Sequence, residues 1–99
     1  MLESFTLETF APHQDAPFRL HPDAGDPLEL RLVEVTPLGG GTAPAGGRAP
    51  FSLVFRGPRA PVLPQRIYRL EHEAIGTFEI FLVPIGPDQE GMRYEAVFT

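Results

Sequence analysis

Ninety-nine residues make a single domain, 1–99, whose small core leaves little stability in reserve. The net charge of −5, with eight scattered Arg and no Lys, argues against a nucleic-acid partner, because a phosphate backbone is held by a basic patch. Cys is absent, which excludes disulfides, thiol catalysis and Cys-based zinc sites, while 12 Pro and 10 Gly favour short strands and turns over long helices.

The chain opens on Met1-Leu2-Glu3, acidic where a secretory leader carries positive charge, so no signal peptide is expected. No apolar run approaches the ~18 residues of a membrane span. A cytoplasmic protein, or one built into an assembled particle, fits these features. Thr6 reads as a helix N-cap, with Glu8 near the positive end of the helix dipole. Phe5 and Phe10 then occupy the two positions of a hydrophobic staple, and Pro12 limits the helix to about one or two turns. A short strand using Phe5 and Leu7 is the competing reading.

Phe18-Arg19-Leu20 is a short strand, followed by a turn, His21 to Pro27, rich in Pro, Asp and Gly. Leu28, Leu30 and Leu32 alternate with Glu29 and Arg31, as a half-buried strand does. Val33 and Val35 fall on the other parity, which predicts a bulge or burial of both faces late in that strand. Residues 37–50 are a Gly/Pro/Ala-rich connection, too long for a tight hairpin, and read as a flexible exposed arm. Phe51-Ser52-Leu53-Val54-Phe55 is the next strand. Residues 57–64, with three prolines, form a stiffer connection.

Three more strands complete the chain. Ile67 to His72 alternates, Phe78 to Val83 is nearly continuously apolar, and Met92 to Phe98 alternates strictly. Pro84 cannot donate to a ladder, so it marks an edge, a bulge or a strand end. The predicted fold is all-β, about six antiparallel strands in meander order with one short N-terminal helix. A small barrel or a two-sheet sandwich both satisfy it, since a flat sheet would leave one apolar face wet. The expected core is Phe51, Leu53, Phe55, Phe78, Ile80, Leu82, Tyr94 and Phe98.

The strings Phe51-Ser52-Leu53-Val54-Phe55-Arg56-Gly57-Pro58, Tyr68-Arg69-Leu70-Glu71-His72, Phe81-Leu82-Val83-Pro84-Ile85-Gly86 and Tyr94-Glu95-Ala96-Val97-Phe98 resemble a family of small bacterial domains of unknown function. Members end in this YEAVF-type strand, and the spacing of Thr6, Phe10 and Phe18 is similar too. The resemblance spans nearly the whole chain. It implies the company of phage-tail-collar and fibre-like proteins, hence a structural role, and it carries no catalytic residues. The arm at 37–50 is longer than the family's usual one.

Residues that carry chemistry elsewhere are sparse. His13-x-Asp15 and His21-x-Asp23 repeat a pattern that can share Zn²⁺ if the segments meet, but both lie in loop-like stretches where polar residues are ordinary. His72 is expected beside Tyr68 and Leu70 on the inner face, bonded to backbone or water at a strand end. The only serines, Ser4 and Ser52, lack a nucleophile-elbow context. Glu29, Glu34, Glu71, Glu79 and Glu95 alternate with apolar residues and read as solvent-facing strand positions rather than a glycosidase pair. Gly39-Gly40-Gly41 lacks the Lys-Ser/Thr and the following helix of a phosphate loop. Gly86 to Gly91 lacks calcium-loop spacing and reads as a hairpin turn.

No catalytic, cofactor or metal site is therefore assigned. The expected function is a non-enzymatic structural or assembly protein that meets a protein partner or itself through sheet edges and loops, the terminal strand and residues 38–49 above all. The alternative is a small ligand- or peptide-binding β module.

Overall fold

Alternating apolar residues on short segments produce strands whose inner faces must meet. In the computed structural model, which describes residues 5–23, 25–38 and 49–99, they meet by closing a barrel. After a one-turn helix α1 (Leu7–Phe10) and a 3-10 turn (Ala11–His13) come six strands. They are β1 (Pro17–His21), β2 (Leu28–Pro37), β3 (Phe51–Gly57), β4 (Arg66–His72), β5 (Gly76–Pro87) and β6 (Met92–Phe98). All pairings are antiparallel, in the order β1-β2-β3-β6-β5-β4, with β4 returning to β1.

This order corrects the single-meander expectation. β1–β3 and β4–β6 are two meanders, and β3 pairs with β6 instead of β4. Residues 58–65 therefore cross one end of the barrel to start β4. Closure also places β6 between β3 and β5, so the terminal strand is not the free edge that the sequence suggested. Of the arm at 37–50, residues 39–48, Gly39-Gly40-Gly41 among them, lie outside the described residues, as does Ser4.

The two irregularities read from the sequence are bulges. The β2–β3 register shifts between Leu32 and Glu34, and the β5–β6 register shifts between Pro84 and Gly86. Gly86 has φ 106°, a value that L side chains rarely adopt, which explains a glycine there. Gly91 serves another purpose: a Cβ on it would overlap the carbonyl oxygen of Gly57 on β3.

Side chains from every strand fill the interior as one cluster, and the whole expected core list is buried. Phe10, Phe18, Leu20, Leu30, Leu32 and Leu70 join it. At one end, here the helix end, Phe10 sits among Phe51, Phe78 and Phe98, at ring-centroid distances of 6.1, 5.8 and 5.8 Å. Phe5 meets Phe10 edge-on at 5.5 Å, as a hydrophobic staple requires. Thr6 is the N-cap, and its N–H donates to Thr9 Oγ1 at 3.0 Å.

The opposite, crossover end is closed by hydroxyls. Leu63 N–H donates to Tyr94 Oη at 2.9 Å, and Tyr68 Oη donates to the Pro64 carbonyl at 2.5 Å. Beside them the β5–β6 hairpin turn is organised by Asp88, whose Oδ1 accepts from Glu90 N–H (2.8 Å) and Gly91 N–H (3.0 Å). Arg56 grips the same carboxylate from β3, its Nε 2.9 Å from Oδ2 and its Nη2 closing the fork. The hydrogen bond from Arg56, then that from the Glu90 amide, hold the Asp88 carboxyl down at about 2.

Candidate functional site

Two surface features stand out from an otherwise charged exterior. The first is a cleft of about 770 Å³ running over β1, bordered by His13, Phe18, Arg19, Glu29, Glu71 and His72. His72 ends β4 with its side chain inward, as alternation predicts, and its ring lies 4.6 Å from Phe18 and 4.4 Å from His13. Its Nδ1 accepts the Ala74 N–H at 3.0 Å, the strand-end bond expected for it. That acceptor role needs Nδ1 unprotonated. Burial, and then the neighbouring His13, push the imidazole toward the neutral form, while Glu73 opposes them.

The His-x-Asp segments do not meet as a ligand set. His13 lies against His72, whereas His21 Nε2 is 2.8 Å from Glu71 Oε1, with Arg19 Nη1 at 3.9 Å from the same oxygen. Asp15, at φ 71°, turns the chain so that its N–H donates to Leu32 C=O at 2.6 Å. Asp23 pairs with Arg66 at 2.7 Å. Among the described residues, no group of three or more His, Asp or Glu is placed to hold a metal ion. Ser52 is buried on β3. Glu29, Glu34, Glu71, Glu79 and Glu95 all lie on the outer face as expected, Glu34 by way of the bulge after Leu32.

The second feature is apolar. The outward positions of β1 and β2 are mostly charged, with Arg19, Glu29, Arg31 and Glu34 among them. On β4, β5 and β6 the outward positions include Ile67, Phe81 and Val97, which are 61, 49 and 55% exposed. Ile67 is the cross-strand partner of Phe81. Ile67 and Phe81 are thus adjacent on the outer face, and Val97 is a further outward position on β6, two residues beyond the last β5–β6 pair, Val83–Glu95. The sequence reading passed over this pair because Phe78 to Val83 looks like one apolar run. A usable signal was present: Phe78, Ile80 and Leu82 already supply the core face, so Phe81 had to point out.

Side chains fill the barrel interior. The molecule is thus a small closed antiparallel β-barrel with one short N-terminal helix. Residues 5–98 match the family model described as Domain of unknown function (DUF6916), and the chain belongs to that family. No curated protein and no solved structure matches the chain. Among the described residues no helix is long and apolar enough to cross a membrane.

Proposed function

We propose that this domain is a non-enzymatic structural or assembly module that meets a protein partner through the outer face of β4–β6. The observation that carries the reading is the exposed cross-strand pair Ile67–Phe81, with Val97 also exposed on the outer face of β6. Large apolar side chains grouped on one flank of a soluble barrel have a hydration cost that protein contact removes. With β6 paired on both sides, contact through this face replaces contact through a sheet edge. The resemblance in the strings ending at Phe98 supports a phage-tail or fibre-like assembly as the setting.

A photo-cross-linking amino acid placed at Phe81, and in a control at Glu29 on the charged flank, tests this in the producing cell. Adducts at position 81 and none at position 29 are expected. Equal or absent adducts at the two positions overturn the reading. The alternative, a small ligand- or peptide-binding module, draws on the cleft over β1. Its Arg19 and its imidazoles beside Phe18 offer both polar and stacking contacts.

A further inference from the structure

The outer face of β4–β6 carries charge as well as apolar surface, and the charges are arranged about Phe81. Arg69 lies on β4, one outward position toward the helix end, opposite Glu79. Glu95 lies on β6, one outward position toward the crossover end, opposite Val83. The two therefore occupy diagonally opposite corners around Phe81. Among the described residues, neither Arg69 nor Glu95 has an ion pair or a side-chain hydrogen bond. Arg56, Arg66 and Arg19, by contrast, are all engaged with carboxylates.

A pattern with a cation at one corner and an anion at the opposite corner is its own complement. Take a two-fold axis in the plane of the face, passing through Phe81 and perpendicular to the Arg69–Glu95 diagonal. It lays Phe81 on Phe81 and exchanges the corners, so each Arg69 meets the other copy's Glu95. The strands of the two barrels then cross steeply, in the manner of orthogonal sheet packing.

We propose that this face docks a second copy of the chain, with Phe81 against Phe81 and two reciprocal Arg69–Glu95 pairs. The proposal rests on the protein-contact reading above and names the partner. From their exposures, Ile67 and Phe81 together with Val97 on β6 offer at most roughly 300 Å² per copy, against the ~800 Å² per partner of a standard interface. The dimer is accordingly weak and concentration-dependent, and its rim charges weigh visibly on its affinity.

The test is sedimentation velocity of the purified chain from low to several hundred micromolar. A monomer–dimer equilibrium is expected. Phe81→Asp should abolish it, which is readable because Phe81 points away from the core and is 49% exposed. Arg69→Glu and Glu95→Arg should each weaken it about tenfold, since like charges then face each other twice. The double variant Arg69→Glu/Glu95→Arg restores both pairs and should return the affinity to within a few-fold of the parent.

A chain that stays monomeric throughout overturns the proposal. So does a dimer indifferent to Phe81→Asp, or one that the double variant fails to rescue. These failures are separable from failure of the protein-contact reading. Cross-linking at position 81 to a chain of different mass keeps that reading and removes the second copy.

Discussion

The two ends of the barrel are closed by opposite chemistry. At the helix end an aromatic plug does it: Phe5 and Phe10 pack over Phe51, Phe78 and Phe98, with little directional bonding. At the crossover end, tyrosine hydroxyls hold the segment at 63–64 and Arg56 holds the hairpin turn through Asp88. The difference follows from what each end must bind. A free helix turn brings side chains to bury. A crossing segment with three prolines brings backbone groups that need partners, and Tyr supplies a ring for the core with a polar tip for the chain.

The largest effect should come from the plug. Phe10→Ala removes a fully buried ring from a site lined by other rings, and should cost about 3–5 kcal/mol in urea unfolding. A loss below ~1 kcal/mol would show that the helix is an ornament rather than part of the barrel's cooperative unit. Tyr94→Phe keeps the ring and removes one acceptor, leaving the Leu63 amide unpaired. The expected cost is about 1–3 kcal/mol, with faster hydrogen exchange at Leu63 and unchanged exchange near Phe10. Matching exchange changes at both ends would mean that the two closures are not independent.

Finer changes separate the ends further. Thr9→Ala removes the acceptor for the Thr6 N–H and should cost ~0.5–1 kcal/mol. Thr6→Ala keeps that backbone donor, so it should cost no more than Thr9→Ala by the same unfolding assay.

Acid should reach the helix end first. The folded state holds His72 below its ordinary value of 6.5, so unfolding takes up a proton there. That contribution to stability is complete above about pH 6.5 and falls as pH drops toward the folded value. Asp88 is depressed from 3.8 to about 2, so its contribution persists above 3.8 and is lost only as pH falls through that window. His72→Asn, whose amide oxygen can take the Ala74 bond, should flatten the stability profile in the upper window alone. A flattening in both windows would break the assignment of each step to one end.

Most of the fold was legible in the sequence because its signals are local. Alternation or an apolar run marked each strand, and the core face was named for the strands around Phe51, Phe78 and Tyr94. Off-parity Val33 and donor-less Pro84 gave the bulges, and Phe5-Thr6 with Phe10 gave the staple. Strand order was not legible, because β3 next to β6 and β3 next to β4 require the same alternation. The three prolines of 57–64 were the hint, since a stiff segment suits a crossing better than a hairpin. The strand-end backbone bond expected of His72 is the one it makes, accepting from Ala74 N–H. The outward position of Phe81 was legible from the parity of Phe78, Ile80 and Leu82, but the His13–His72 contact and the Ile67–Phe81 pairing were not, since both arise only when β4 meets its neighbours.

The plug has a consequence for how the domain can be joined to other chains. Phe10 touches Phe98, so the first described residues and the last strand reach the same rim of the barrel. A polypeptide grafted to both of them would leave and return side by side. The barrel can therefore sit as a bead within a loop of a host protein, or have its ends linked and be reopened at the turn between β1 and β2, without stretching any strand.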